Sequence, residues 1–178
     1  MKIIVLERGF EEKVDVPCQS HIMADSALVV AGRPLFLPDY ADKWKIRVYP
    51  AYRVSRLGKT VKRRFASRYY DGCSLALRLI PVDETFSSIE WFADNSIALS
   101  PFIQISEDDN NPHLSLGDVS FIHHPDQIDS AIEQVTHFST IKNGDLILSG
   151  FKELDVEIAP RMDFNGIIGN RNFTIALR

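Results

Sequence analysis

Residues 55–72 read SRLGKTVKRRFASRYYDG. They overlap the second half of a basic stretch, residues 43–68, that carries ten lysines and arginines and no acid. The remainder of the chain holds ten cations against twenty-four acids, so the two parts carry formal charges of +10 and −14. A charge run of this kind is most often a solvated face beside acids from elsewhere in the fold. Phosphate binding is the alternative, but the net charge of −4 argues against a general nucleic-acid binder.

Length and composition predict one domain, residues 1–178. The chain has 178 residues, of which 45% are hydrophobic and 25% charged, as in an ordinary globular protein. Its two cysteines, Cys18 and Cys73, lie far apart in sequence, which fits a reducing compartment without disulfides. Because no apolar run reaches membrane-spanning length, we expect a cytoplasmic protein that does not contact membranes.

On both sides of the basic stretch, most of the sequence has the pattern of β-strands. Short segments rich in β-branched and aromatic residues, bounded by Gly, Pro, Asp and Asn, predict strands at KIIVL, SALVV, PLFLP, KIRVYPAYRV, CSLALRLI, IALSPFIQI, DLILSG, DVEIA and FTIALR. The turn AGR, residues 31–33, would join SALVV to PLFLP as a hairpin. Pro50 would place KIRVYPAYRV at a sheet edge or at a bulge, because proline cannot donate a ladder hydrogen bond.

One segment has a clear helical pattern. In HPDQIDSAIEQVTHF, residues 124–138, apolar residues recur at i, i+3, i+4 and i+7 from Ile128, and Asp126 is placed to cap the helix. A weaker helical pattern covers GKTVKRRFASRYY, residues 58–70. Pattern alone therefore predicts an α+β fold, mainly β, with one or two short helices.

No single motif predicts a reaction. His123 and His124 are adjacent, and adjacent side chains on extended backbone point in opposite directions, so a polar loop before the helix is expected instead of a metal site. Cys73 lies in an apolar strand and is expected to be an inert core thiol. Gly166 and Gly169 form a GxxG pattern that usually marks a turn.

Six phrases, read in order, nevertheless resemble the fumarylacetoacetate hydrolase family, and in particular its small single-domain members. They are MKII, SALVVAGRPLFLPD, SRLGKTVKRRFASRYYDG, WFADNSIALSPFI, VTHFSTIKNGDLILSG and GIIGNRNFTI. The resemblance covers nearly the whole chain. It implies a roll of mixed β-sheets with few helices, of the type formed by the family's C-terminal domain, in agreement with the strand patterns.

The resemblance also implies a divalent-cation site, normally Mg²⁺ or Mn²⁺ held by a Glu-x-Glu pair and an Asp. Those positions are occupied here by Arg47, Tyr49 and Arg78. Because Mg²⁺ and Mn²⁺ need hard anionic oxygens, we expect no metal and no cofactor in this chain. The lysine of another family phrase falls at Trp91, and of the family's TARD phrase only Asp83 remains.

We therefore predict a catalytically inactive homologue of that family with a binding or assembly role. Its candidate anion-binding pocket consists of the residues at the altered positions, namely Arg47, Tyr49, Arg78, Asp83 and Trp91. A guanidinium offers a forked donor that matches a carboxylate, so a small organic anion could bind directly. The competing interpretation is that both arginines pair with acids such as Asp83 or Asp94 and fill the pocket.

Other functions and partners stay open at the level of sequence. The alternative function is a hydrolase or decarboxylase of a β-diketo or oxo acid with a rearranged site, for which Asp83, Asp94, His123 and His124 are available. The resemblance implies a homodimer, or as a second option a heteromer with an active family member. Nucleic acid is not an expected partner.

Overall fold

The computed structural model describes residues 1–105 and 112–178. Within these residues the chain forms twelve strands and one α-helix, α1, Pro125–Phe138. The strands are β1 Lys2–Glu7, β2 Gln19–Ala24, β3 Trp44–Val54, β4 Tyr70–Pro81, β5 Ile97–Leu99, β6 Ile103–Gln104, β7 His113–Leu116, β8 Val119–Ile122, β9 Leu146–Leu148, β10 Lys152–Glu153, β11 Met162–Ile168 and β12 Arg171–Leu177. The predicted mainly-β α+β class is confirmed.

The strands form two sheets. The larger sheet has the order β2-β1-β9-β3-β4-β5, with β10 added to β3 and β6 added to β4. It is mixed, because β1 and β9 are parallel whereas its other strand pairs are antiparallel. The smaller sheet has the order β12-β11-β7-β8 and is antiparallel.

The two faces of the larger sheet differ. One face packs against α1 and the smaller sheet in the main apolar core, which includes Val48, Leu77 and Ile132. The opposite face carries a smaller apolar cluster that includes Ile3, Val5 and Ala76. Because side chains alternate along a strand, the residues between the main-core positions of β3 and β4 project onto this second face.

The weaker helical pattern in the basic stretch corresponds to a helix that is shorter than predicted and of the 3-10 type. Arg63–Tyr69 is a 3-10 helix, and three further short 3-10 turns lie at Asp25–Ala27, Glu84–Phe86 and Ile89–Trp91. In α1 the N-cap is His124 and Pro125 begins the helix, so Asp126 lies in the first turn instead of at the predicted cap position. Proline suits this first position because its missing N–H would have no partner there.

Pro50 is not on an edge strand, contrary to the sequence-based expectation. β3 lies inside the sheet, with β4 on one side and with β9 and β10 in succession on the other. Residues 51–53 pair with β9 and residues 47–48 pair with β10, so Pro50 falls in the gap between these two partners. Its missing N–H therefore leaves no ladder bond unmade at that gap.

Three predicted strands and one hairpin are also corrected. Arg33 N–H does bond to the Val30 carbonyl in a turn, but the flanking segments do not pair with each other. Leu28 bridges to Ile97, whereas Leu35 bridges to Leu177. SALVV, PLFLP and DVEIA, residues 155–159, form no strand beyond isolated bridges, whereas β2, β7, β8, β10 and β11 were not predicted. Across the described residues, no helix has both the length and the apolar composition needed to cross a bilayer.

Candidate functional site

Strand alternation brings two arginines together on the second face of the larger sheet. Arg47 and Tyr49 are two residues apart on β3, and Arg78 on β4 is the direct cross-strand partner of Arg47. Residues two apart share a face, and direct partners lie side by side. Two guanidiniums at such a pair would repel each other unless a carboxylate lay between them.

Glu7, the last residue of β1, supplies that carboxylate. Its Oε1 accepts a hydrogen bond from the Tyr49 hydroxyl at 2.7 Å and lies 3.4 Å from Nη1 of Arg78. Its Oε2 accepts a hydrogen bond from Nη1 of Arg47. Glu7 follows Ile3 and Val5 at a spacing of two residues and therefore projects from the same face of the sheet. On this second face, β1 is apolar along its length and acidic at its last residue.

Arg78 is the most enclosed member of the group, with a side-chain exposure of 0%. Its guanidinium carbon lies 3.9 Å from the centre of the Trp91 ring, a cation–π contact. Its Nη2 lies 3.5 Å from Oε1 of Glu90, but Nε and Nη2 make no hydrogen bond in the part of the chain that the structure describes. His21 from β2 stacks on Trp91, with ring centres 3.7 Å apart and planes inclined by 13°.

Arg47 lies at the outer side of the group. Its Nε donates to Oε1 of Glu153 on β10 at 2.8 Å, and its guanidinium carbon lies 4.2 Å from the Phe151 ring centre. Burial lowers the pKa of Arg47, but the hydrogen bond to Glu153 and the charge of Glu7 raise that pKa by more. The side chain therefore stays a cation at any pH at which the protein is folded.

Tyr49 acts as a neutral donor in this arrangement. It is fully buried, and burial together with the adjacent Glu7 carboxylate raises the pKa of its phenol far above the ordinary value. A phenol that keeps its proton can donate to Glu7 but cannot serve as an anionic metal ligand. The hydroxyl thus helps to hold the carboxylate between the two guanidiniums.

Four of the five predicted pocket residues, Arg47, Tyr49, Arg78 and Trp91, are brought together, and Asp83 is not. Asp83 is exposed and caps the 3-10 turn that follows it, because its Oδ1 accepts from the Thr85 N–H at 2.8 Å. Hydrogen bonding by the Thr85 side chain, and secondarily by its backbone N–H, lowers the pKa of the Asp83 carboxyl group.

The arginines pair with Glu7, Glu90 and Glu153, not with the suggested Asp83 or Asp94. Sequence reasoning missed these three acids. Glu7 could have been found from the sequence, because it follows Ile3 and Val5 at a spacing of two residues and so faces the same side of the strand.

The residues on this face do not fit a divalent cation. Arg47 and Arg78 are cations, Tyr49 is a neutral phenol, and both oxygens of Glu7 already contact guanidiniums. Among the described residues no group of three or more His, Cys, Asp or Glu side chains converges as metal ligands would. Mg²⁺ and Mn²⁺ require several oxygen ligands with net negative charge, and the set here cannot provide them.

A second buried polar group lies on the opposite face of the sheet. His123 is only 3% exposed, and its Nδ1 shares a hydrogen bond of 3.0 Å with the Tyr52 hydroxyl. It is therefore a core residue, whereas only His124 matches the expected exposed polar loop. Burial lowers the pKa of His123, so its neutral form is favoured. Burial also raises the pKa of Cys73 to about 12, as suits an inert thiol.

The basic stretch is partly neutralised by acids that lie outside it. Arg53 pairs with Asp71, and Arg63 pairs with Asp15 and Asp126. Other cations of the stretch line a shallow cavity of about 390 Å³ together with aromatic and polar side chains; its lining consists of Arg56, Lys59, Thr60, Val61, Lys62, Phe65, Arg68 and Tyr69. The second half of the stretch, residues 56–68, is thus largely a solvated face, as the charge pattern indicated, whereas the first half forms the largely buried strand β3.

Comparisons with known proteins identify the fold. No protein-family model matches the chain, and no curated protein matches it either. Among solved structures, 5-carboxymethyl-2-hydroxymuconate delta-isomerase from Mycobacterium smegmatis superposes with a TM-score of 0.79 at 17% identity, over 99% of this chain and 78% of that chain. Maleylpyruvate hydrolase from Sphingobium sp. SYK-6 gives a TM-score of 0.77 at 14% identity, over 99% and 70% of the two chains.

A structure from Yersinia pestis CO92, described as a fumarylacetoacetate hydrolase family protein, gives a TM-score of 0.77 at 17% identity, over 99% of this chain and 91% of that chain. Identities this low establish the fold and nothing finer. The chain therefore has the small single-domain fold of the fumarylacetoacetate hydrolase family, which confirms the resemblance at the level of fold.

Proposed function

We propose that this chain is a non-catalytic protein of the fumarylacetoacetate hydrolase fold that binds a small organic anion at Arg78. The observation that supports the proposal is the state of that guanidinium. It is fully buried, yet Nε and Nη2 make no hydrogen bond among the described residues. A buried cation with free donors is costly, and a ligand carboxylate would satisfy the donors with charge-assisted hydrogen bonds.

The chemistry of the structural neighbours points to the same ligand class. Two of them carry the names of enzymes acting on maleylpyruvate and on 5-carboxymethyl-2-hydroxymuconate, both of which are carboxylates. In this chain, guanidiniums would take the place of the metal ion beside such a substrate. Binding could then persist without the Lewis acid on which the metal-dependent reaction relies.

The non-catalytic part of the proposal rests on charge. With Arg47, Tyr49 and Arg78 in place of three carboxylates, a metal-bound water has no site from which to attack. We expect elemental analysis of the purified protein to find neither Mg²⁺ nor Mn²⁺ in stoichiometric amount. We also expect Mn²⁺ to leave the melting temperature unchanged. A stoichiometric ion that is lost from an Arg78→Leu variant would contradict this part.

Ligand binding is tested by thermal unfolding in a panel of carboxylates. A ligand that binds only the folded state raises the melting temperature by mass action. We expect pyruvate, propionate or a related acid to stabilise the wild type and not Arg78→Leu. Arg171→Leu is the matched control, because Arg171 is exposed on β12. If no acid stabilises the wild type, or if Arg78→Leu responds equally, the anion-binding function is excluded.

The hydrolase or decarboxylase alternative is separated by a turnover assay. Oxaloacetate is a suitable probe, because it is an oxo acid whose decarboxylation is easily followed. We expect the rate with protein to equal the rate in buffer. Turnover that is abolished by Arg78→Leu and kept by Arg171→Leu would replace the non-catalytic function with an enzymatic one.

We further propose that the chain self-associates as a homodimer through the free edge of β2. This strand ends the larger sheet, carries no Lys, Arg, Asp or Glu, and exposes 58% of Ile22. Unpaired edges without charged residues readily pair with another strand. Phe138, which is 80% exposed, lies with Ile22 at the rim of an adjacent, mainly apolar cavity of about 390 Å³.

Sedimentation measurements on variants test this interface. We expect Ile22→Lys to convert a dimer to a monomer, because the charge opposes edge pairing. Ile167→Lys serves as the control, since Ile167 is similarly apolar and 43% exposed but lies on the smaller sheet. A monomeric wild type, or a dimer that Ile22→Lys leaves intact, excludes the β2 interface.

A further inference from the structure

The segment that follows β4 contributes two side chains to the Arg78 site. Its second 3-10 turn, Ile89–Trp91, places Glu90 against Nη2 of Arg78 and the Trp91 ring over the guanidinium. The Glu90 side chain is only 13% exposed, whereas Ile89 and Phe92 beside it are 44% and 84% exposed. The apolar neighbours thus face solvent while a carboxylate faces inward, the reverse of the usual arrangement.

Glu90 is held much less firmly than the other carboxylate at Arg78. Glu7 accepts hydrogen bonds from Tyr49 and Arg47, which fix it in place. Glu90 contacts Arg78 at 3.5 Å without a hydrogen bond. Of the two acids at this guanidinium, Glu90 is therefore the one that a stronger acceptor could displace.

The backbone around Glu90 makes only local hydrogen bonds among the described residues. The hydrogen bonds of this segment described by the structure are local, from Phe86 N–H to Asp83, from Ser87 N–H to Glu84, and from Phe92 N–H to Ile89. Its ends are tied by Val82 N–H to Lys43 and by Asn95 N–H to Ser26. Between these two ties the described backbone makes no bond to another strand, so outward movement would break side-chain contacts, chiefly those of Trp91 with His21 and Arg78, but no sheet hydrogen bond.

Charge indicates how many carboxylates the site accepts. Arg47, Arg78 and Lys45, which shares Glu153 with Arg47, face the two acids Glu7 and Glu153, so the group carries one net positive charge before Glu90 is counted. Glu90 adds one negative charge, placed at the free donors of Arg78. A ligand that replaces Glu90 and keeps the charge of the site unchanged carries one carboxylate.

We propose that Glu90 is an internal substitute for the ligand's carboxylate, and that a small monocarboxylate displaces it and swings residues 84–93 outward with Trp91. This inference rests on the proposed anion-binding function. It adds the ligand class and a built-in competitor that lowers the apparent affinity. The bound ligand would take over the donors of Arg78 that Glu90 leaves without a hydrogen bond.

The first test needs no ligand. Glu90→Gln removes the charge that draws the segment inward, while Glu84→Gln alters an exposed acid on the same segment. We expect amide hydrogen exchange in residues 84–93 to rise about tenfold in Glu90→Gln and to stay at the wild-type rate in Glu84→Gln. Unchanged exchange in Glu90→Gln would show that Glu90 does not hold the segment closed, and would overturn the inference.

The second test measures affinity by calorimetry, with propionate and pyruvate as monocarboxylates and malonate as a dicarboxylate. Removing an internal competitor raises apparent affinity, because a larger fraction of the protein is competent to bind. We expect Glu90→Gln to bind the monocarboxylates about tenfold more tightly than the wild type and Glu84→Gln to bind as the wild type does. Glu90→Asp, which keeps the charge on a shorter side chain, should fall between them and serves if Glu90→Gln does not fold.

The possible outcomes distinguish failure of this inference from failure of the proposed anion-binding function. Equal affinity of the wild type and Glu90→Gln for a monocarboxylate would overturn the role of Glu90 and leave anion binding intact. Preference for malonate would overturn the monocarboxylate class. Absence of binding in the wild type and in both Glu90 variants would overturn the anion-binding function and the inference together.

Discussion

Arg47 and Arg78 are direct cross-strand partners on β3 and β4, so two guanidiniums leave the same face of the sheet side by side. Such a pair is unfavourable by itself, since like charges placed directly opposite destabilise a sheet. It is tolerated here because Glu7, from a third strand, contacts both cations. The stability of this arrangement therefore depends on Glu7.

Glu7→Gln should destabilise the protein strongly. The substitution keeps the size of the side chain but leaves two largely buried guanidiniums without their shared carboxylate. Removing one partner of a buried ion pair costs about 3 kcal/mol in unfolding free energy, measurable by urea unfolding at pH 7. Glu12→Gln, at an exposed acid, should change the free energy by less than about 0.5 kcal/mol. A similar small effect of both changes would contradict the central role assigned to Glu7.

Tyr52→Phe should destabilise the main core through His123. The two side chains are 2% and 3% exposed, and the hydroxyl is the partner of the His123 Nδ1. A buried ring nitrogen left without a partner costs about 1–3 kcal/mol, to be measured by thermal or urea unfolding. Tyr69→Phe provides the comparison, because the structure describes no hydrogen bond to its hydroxyl. Equal stability of both variants would mean that the bond to His123 contributes nothing.

Asp129→Asn should raise stability at neutral pH. Burial raises the pKa of Asp129 from 3.8 to about 6, and its Oδ1 is buried without a hydrogen-bond partner among the described residues. A carboxyl group whose pKa is higher in the folded state favours folding below pH 3.8, and this contribution is lost as the pH rises through about 6. The group keeps partial access to water, so the expected gain at pH 7 is only about 1 kcal/mol.

The pH profile provides the check on Asp129. Unfolding free energies of the wild type and Asp129→Asn should converge near pH 4, separate as the pH rises from about 4 to about 6, and differ by a constant amount above that, as the pKa values of 3.8 and about 6 require. Because His123 titrates in both proteins, its opposite contribution cancels in the difference. Asp118→Asn, at an exposed turn, should follow the wild type throughout. A constant difference between wild type and Asp129→Asn at all pH values would refute the titration argument.

Gly166→Ala should disrupt the smaller sheet. A methyl group on Gly166 would lie 2.4 Å from the Ser115 carbonyl oxygen on β7 and 2.4 Å from the Phe173 ring on β12. The neighbouring strand cannot move aside without breaking its ladder, so we expect a loss of about 2–3 kcal/mol. At Gly9 the added methyl group would meet only the flexible Glu12 carboxylate at 3.1 Å, so Gly9→Ala should be nearly neutral in the same unfolding assay.

The sequence phrases identified where the site lies but not every side chain that forms it. The positions of Arg47, Tyr49 and Arg78 were inferred from the flanking phrases, and strand alternation correctly places the first two on one face. Trp91 was also identified. Asp83 was included because one family phrase retains an aspartate there, but the residue caps a local turn at the surface. Phrase order cannot distinguish a side chain that faces the site from one that faces solvent.

The sequence by itself determined the mainly-β character, the single helix after His124, the basic face, and the absence of anionic oxygens at positions 47, 49 and 78. These properties follow from local periodicity and side-chain chemistry, which each residue carries regardless of its neighbours. Only the tertiary structure decided which acids neutralise the arginines. Glu7 lies 40 residues from Arg47 and 71 from Arg78 along the chain. Their contact is created by sheet pairing between distant strands, and no local pattern encodes that pairing.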